Sequence, residues 1–561
     1  MLTWLQKGVD INGEAVGDAF GSSISLSSDG NVIAIGGGPL SNGSIAVHVY
    51  TWSGSDWEQK GLGIDGEASG DNSGCSVSLS SDGNVIAIGA PWNNDFYTGG
   101  HVRVYEWNGS KWLQKGFDID GEASGNNSGC SVSLSSDGNV VAIGAYLNSG
   151  NCINSGHVRV YEWNVTSAFW EQKGFDIDGE AAGDWSGFSV SLSSDANIVA
   201  IGAPWNKGNG FFAGHVRVYE WNDTLAFWEQ RGDDIDSEAA YDEFGTSVSL
   251  SSDGNVVAIG APYNDCNGTN SGHVRVYEWN GSDWEQRGID IDGEAAADAS
   301  GRSVSLSSDG NVVAIGADNN NGRNEDTSGH VRVYEWNVTS SSWEQKGIDI
   351  DGKAAGDYYG TSVSLSGDGN VIAIGAPGSD GNGDGSGHVR VYKWNVLSSS
   401  WEIKGFHILN GEAGFDYSGT SVSLSSDGNV VAIGAPGNDN KGDGSGHVRC
   451  ASLQLHLLEF HHNYIVIILM FIHLLVMIFL EITITFLKST SENLMISFEK
   501  ANYLLTLEVS KCISADPFSL DIILFLVFRN GIFKCHREYK CVYNQCQTVY
   551  GSIYKYLLRH V

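Results

Sequence analysis

Residues Asp176–Asp184 read DIDGEAAGD, with carboxylates at the first, third, fifth and ninth places: Asp176, Asp178, Glu180 and Asp184. A calcium loop spaces its oxygen ligands in this way. The pattern recurs at Asp234, Asp236, Glu238 and Asp242, and again at Asp290, Asp292, Glu294 and Asp298. It also recurs, with Asn in the second ligand place, at Asp10, Asn12, Glu14 and Asp18. Gly63, Asn126 and Lys353 break it elsewhere, and the last copy is rewritten as HILNGEAGFD. A second candidate is Asp380, Asn382 and Asp384, which open a calcium-loop pattern but reach His388 with no closing acid. These residues are the candidate metal ligands, and Ca²⁺ is the cofactor they would take. A competing reading is a solvated connection. In that reading the Ile is a buried anchor, Asp-Gly is a turn, and the acids cap backbone N–H groups. The glycine stands at the fourth place, not the sixth where a calcium loop turns, which favours the capped connection.

Other reactive side chains recur as scaffold. The Arg of HVRVYEW (Arg103, Arg159, Arg217, Arg275, Arg332, Arg390) comes once per unit beside Tyr and Trp. That placement reads as packing between units through cation–π or ion-pair contacts. The His before it reads as structural too. Ser, Asp and His are plentiful, but no odd insertion breaks the repeat to build a catalytic centre. A non-enzyme is expected.

The elements that carry these residues repeat eight times. Units open at Trp4, Trp57, Trp112, Trp170, Trp228, Trp284, Trp343 and Trp401, spaced 53 to 59 residues apart. Periods of this size indicate a solenoid, propeller or array. Each unit offers four short strands. SVSLS alternates at period two, NVVAIGA is an apolar run covered on both faces, HVRVYEW is β-branched and aromatic, and WEQKG is edge-like. SDGN between the first two is a hairpin signal, since Asp-Gly tolerates positive φ. The fold class is therefore all-β, a β-propeller of four-stranded antiparallel blades. The chain starts on an outer-strand piece, Trp4–Gly8, and the eighth unit ends on a third strand. An N-terminal strand that closes the last blade gives eight blades, and seven blades plus an extra unit is the alternative.

The triplets at Gly89–Pro91, Gly202–Pro204, Gly260–Pro262, Gly375–Pro377 and Gly434–Pro436, with Phe20-Gly21 and Phe244-Gly245, carry a resemblance. Residues 1–450 resemble the FG-GAP repeat family, whose best-known members are integrin α-subunit propellers. The resemblance implies a propeller and, among adhesion receptors and attachment domains, a recognition role. Integrin calcium loops lie between the first and second strands. Here that place holds only SSDGN, too short to wrap an ion, so those sites do not carry over.

Antiparallel alternation puts the blade-to-blade connections and the second-to-third loops on one rim, which makes that face acidic. The opposite rim carries N-x-Ser/Thr tripeptides at Asn108, Asn164, Asn222, Asn280 and Asn337, which would suit glycosylation of a secreted protein.

Composition divides the chain. All 18 Trp and 72 of 74 Gly precede residue 451. Residues 451–561 carry 9 Lys+Arg and 8 Asp+Glu, whereas residues 1–450 carry 22 and 59. So acidic a surface excludes nucleic acid as a partner. The nine Cys show no zinc-like spacing. The tail contains a candidate transmembrane helix over 464–487, a single-pass anchor. The abrupt loss of the repeat at Arg449 equally fits non-coding sequence read through. The N-terminus MLTWLQKGVD shows no signal peptide. The expected function is a cell-surface or secreted recognition scaffold that binds a protein or glycan through its acidic face, assisted by Ca²⁺. The alternative is an enzyme or accessory module acting on surface glycans or lipids.

Overall fold

The computed structural model describes residues 2–37, 46–68, 70–93, 99–320, 327–403, 409–455, 506–511, 522–528 and 531–534. Residues 1–458 form one unit and 459–561 another. The first unit is an eight-bladed β-propeller. Blade 4 shows the plan, with an inner strand Ser189–Leu192, a second strand Ile198–Ala203, a third His215–Asn222 and an outer Phe227–Gln230, all antiparallel. The connection to blade 5 adds a short piece, Ile235–Asp236, which pairs back onto the start of the third strand. Seven blades carry this fifth piece, and blade 7 shows four strands among the described residues.

The apolar run becomes the second strand because it is buried on both faces, all six residues of Ile198–Ala203 included. The core lies between blades, not within them. Ile198, Ala200, Val216 and Val218 of blade 4 pack against Val257, Ile259, Ala261 and Tyr277 of blade 5. Each such side chain contributes about 1.5–3 kcal/mol on burial. A single blade cannot bury its own faces, so stability belongs to the ring.

The N-terminus closes the ring. Leu2–Gln6 forms the outer strand of blade 8 and pairs with its third strand, His447–Leu455, from Leu2↔Leu455 to Gln6↔Ala451. The third strand thus runs on past Arg449, where the repeat gives out, with Cys450 and Ala451 buried. At the axis, Ser426 of blade 8 donates its N–H to the Ser28 carbonyl of blade 1 at 3.0 Å. The alternative of seven blades plus an extra unit does not hold.

The Phe-Gly and Gly-Ala pairs meet at the blade seams. Gly245, at φ +93°, donates its N–H to Gly260 of its own blade, while its carbonyl accepts the Ser189 hydroxyl of the previous blade at 2.8 Å. A Cβ on Gly202 would lie 2.2 Å from that carbonyl oxygen, so glycine is required there.

In the second unit the described residues form a three-stranded antiparallel sheet, Thr506–Lys511, Ile522–Phe528 and Gly531–Lys534. The anchor expected over 464–487 lies outside the described residues. Among those described, no helix is long and apolar enough to cross a membrane.

Candidate functional site: histidine–carboxylate clusters and an aromatic patch on one rim

The connections and the second-to-third loops share a rim and are tied together. Asn209 of the blade 4 loop donates to the Ser237 carbonyl of the next connection at 2.7 Å, and Lys207 reaches back to Ala182 at 2.6 Å. The acids of DIDGEAAGD part company there. Ile177 is buried and pairs with Val158 of the third strand. Asp176 and Asp178 face backward, to His157 of blade 3, at 3.8 and 4.0 Å from its Nδ1. Glu180 faces forward, to His215 and Arg217 of blade 4, at 3.9 and 3.8 Å. Asp184 is turned inward and fully buried, where it caps the Ala181 N–H at 2.7 Å and accepts from Asn206. Burial pushes its carboxyl up, and these hydrogen bonds pull it back.

The other copies divide alike. Asp242 caps Ala239 and Asp298 caps Glu294 and Ala295, both buried. Glu238 stands 3.9 Å from Arg275, and Glu294 3.8 Å from His330. Asp234 and Asp236 lie 3.9 Å from His215 Nδ1, and Asp292 lies 3.9 Å from His273 Nδ1. Asp290 joins His273 and Asp292 in one cluster. The clusters around His101, His157, His215 and His273 therefore take Glu from the connection before the blade, His from its third strand, and Asp from the connection after it. In the second candidate, Asp380 accepts the Gly385 N–H at 2.8 Å and Asn382 donates to the Gly411 carbonyl at 2.6 Å. Asp384 offers its backbone carbonyl to Phe415 at 2.7 Å.

The histidines read as structural in the sequence because each is an ordinary strand residue beside Arg. Only the short Ile-Asp pairing brings the acids over them. The Arg itself joins blades: Arg217 lies over the Tyr219 ring at 5.6 Å and donates to the Asp178 carbonyl.

Outer-strand residues fix the acids. Gln172 donates to Asp176 Oδ1 at 2.6 Å and Gln230 to Asp234 Oδ1 at 2.7 Å, which leaves each Oδ2 facing histidine. Burial, then the neighbouring Arg, lowers the pKa of His157, His215 and His273 to about 4. Each imidazole is neutral at pH 7. Burial first, and then Asp234, raises Asp236.

A second feature breaks the symmetry. Across blades 3 to 5 the same rim gathers aromatic residues into contact. Trp185 stacks on Trp205 at an interplanar angle of 19°, and Tyr146 meets Trp185 edge-on at 5.2 Å. Phe212 lies 4.8 Å from Trp205, and Phe211 lies 6.3 Å from Tyr241. Phe211 is 55% and Tyr241 61% exposed. Trp185, Phe212 and Tyr241 all sit at positive φ, which is strained for bulky residues and marks segments held by their surroundings. A search for odd insertions passes over this patch because the aromatics replace other residues without inserting any.

Fold and rim together define a β-propeller with repeated acidic clusters. Residues 236–277 and 344–392 match the FG-GAP repeat. No curated protein matches the chain. Among solved structures, the C-terminal WD40 domain of Sif2 is similar at 14% identity and TM-score 0.50, over 81% of this chain and 99% of that one. Sqt1 from Chaetomium thermophilum is similar at 13% and 0.49, over 80% and 100%. The Pseudomonas aeruginosa periplasmic gluconolactonase PpgL is similar at 15% and 0.44, over 68% and 96%. At such identities the likeness concerns fold alone.

Proposed function

We propose that this propeller is a non-enzymatic recognition scaffold, secreted or displayed at a cell surface, whose acidic rim binds a glycan. The observation that carries the reading is the aromatic patch on that rim. Stacked and exposed rings offer flat apolar faces, and the carboxylates around them accept hydroxyl hydrogen bonds. Sugars present both kinds of surface, and an acidic rim repels anionic polymers, so the ligand is a neutral glycan. An extracellular setting agrees with the five sequons on the opposite rim, whose Asn residues cap turns there, as Asn164 does for Thr166 at 2.9 Å.

A panel of neutral polysaccharides tests the reading, with binding and hydrolysis measured together. Binding without turnover, weakened in Trp205→Ala and Tyr241→Ala, supports it. Turnover would point to the enzyme reading, and a basic protein partner held by the same residues would replace the glycan.

A further inference from the structure

We propose that the histidine–carboxylate clusters of blades 2 to 5 each hold one divalent transition-metal ion of the Zn²⁺ type. The ligands are His Nδ1 and the carboxylates of the two connections that flank the blade. This goes beyond the glycan reading and stands or falls apart from it.

Blade 4 shows the geometry. His215 is 1% exposed, and neither ring nitrogen makes a hydrogen bond to protein. Its Nδ1 faces one oxygen each of Glu180, Asp234 and Asp236, all at 3.9 Å. That is too long for a hydrogen bond. Tetrahedral ligands about 2.0–2.1 Å from a Zn²⁺ ion stand about 3.3–3.4 Å apart. The half-exposed carboxylates need to close in by only a fraction of an ångström. Three carboxylates and Arg217 leave a net charge that a divalent ion balances. The Gln230–Asp234 hydrogen bond orients a ligand from behind, as outer-shell partners do. His157 repeats the set, with Glu122 and Asp176 at 3.8 Å and Asp178 at 4.0 Å.

The blades that lack the full set supply the contrast. In blade 1, Gly63 removes the first acid, and Gln59 turns onto His48 Nδ1 at 3.1 Å. In blade 7, Lys353 replaces the Glu and its charge acts on His388. In blade 8, Arg449 enters the cluster and hydrogen-bonds Asp10 and Glu412. In blades 1 and 8 Gln59 and Arg449 thus answer the acids or the imidazole, although His447 Nδ1 of blade 8 also makes no hydrogen bond to protein. In blades 3, 4 and 5, where the acids are complete, His157, His215 and His273 each keep a buried Nδ1 without a hydrogen bond to protein.

The donor set selects the metal. Ca²⁺ takes six to eight oxygens, whereas an imidazole nitrogen with carboxylates suits Zn²⁺ and its first-row neighbours. In blade 5 Cys266 lies within 4.8 Å of Glu238 and His273, and it would add a soft ligand.

The test uses the full chain, stripped with chelator. Zn²⁺ uptake is counted by elemental analysis and calorimetry, and Co²⁺ is the visible-absorption probe. We expect about four ions per chain, one for each of blades 2 to 5, with the Co²⁺ spectrum of a four-coordinate site. Glu180→Gln and His215→Gln should each remove one ion, while His388→Gln should remove none. The Glu180 side chain is 46% exposed, so its variant keeps the test valid if the buried His variant fails to fold. No uptake at micromolar Zn²⁺, uptake unchanged in Glu180→Gln, or displacement by millimolar Ca²⁺ or Mg²⁺ would each overturn the proposal.

Discussion

Arg449 and Asp10, 439 positions apart in the chain, share a two-pronged ion pair, with Nε–Oδ1 at 2.8 Å and Nη2–Oδ2 at 2.9 Å. Burial alone would raise the Asp10 carboxyl, but the Arg449 hydrogen bonds and charge hold it below the usual range. The pair sits where the first residues of the chain meet the last blade, beside the strand pairing Leu2–Gln6 with Ala451–Leu455. It is a lock on ring closure.

Asp10→Asn should therefore cost about 1.5–3 kcal/mol, the range for hydrogen bonds to charged groups. Deleting residues 1–8 should do more, since it strips the outer strand and exposes the edge of His447–Leu455. Size-exclusion chromatography and thermal melting check both. A truncated chain as monomeric and heat-stable as its parent contradicts the closure.

Gly202→Ala forces a Cβ to within 2.2 Å of the Gly245 carbonyl oxygen, so it should destabilise the fold by about 3 kcal/mol or more. Gly109→Ala is the control. Gly109 also has positive φ, +94°, but meets nothing within 4 Å, so it should cost only about 1 kcal/mol in backbone strain. Equal losses in denaturant melts would show that seam packing is not the cause.

Among the described residues, the basic residue that follows an outer strand rivets one blade to the next. Arg231 lies over Trp279 and Trp284 of blade 5, at 4.6 and 5.6 Å, and donates to Gly254 and Asn255. Lys60 and Lys115 make the same contacts in other blades. Arg231→Ala should cost about 2–3 kcal/mol, one cation–π contact plus a hydrogen bond, and Arg231→Lys under about 1. Chemical denaturation of the two variants checks the order.

The buried histidines link stability to pH. A His near 6.5 when unfolded and about 4 when folded binds its proton in the unfolded chain first, so stability falls as pH drops below 6.5. The groups facing His215 are Arg217, Glu180, Asp234 and Asp236. Glu180 and Asp236 are raised, chiefly by burial, and oppose the loss once they protonate at lower pH. The melting temperature of metal-free protein should therefore fall between pH 6.5 and 5. His215→Gln should flatten that slope by up to about 1.4 kcal/mol per pH unit. An unchanged slope in the variant would show that His215 is not linked.

The ring was legible because its signals are local and repeated. The period-two SVSL, the apolar VVAIGA and the Asp-Gly hairpin each specify one strand or turn, and eight copies specify a propeller. The site was legible only in part. The acids of DIDGEAAGD stood out by spacing, yet their partners are set by which connection lies over which blade. Asp176 and Glu180, four residues apart, serve different histidines, His157 and His215. Trp205 has counterparts in Trp92 and Tyr263, but its contact with Trp185 depends on two loops converging on one rim.

Binding of the full chain to neutral glycans, compared with Trp205→Ala and Tyr241→Ala, tests the central claim most directly. Both substitutions alter rim side chains and spare the blade seams, so the melting temperature should change little. The account predicts saturable binding by the parent chain, weakened at least tenfold in each variant, about 1.4 kcal/mol. No binding to any neutral glycan, or binding that survives loss of both rings, would contradict it.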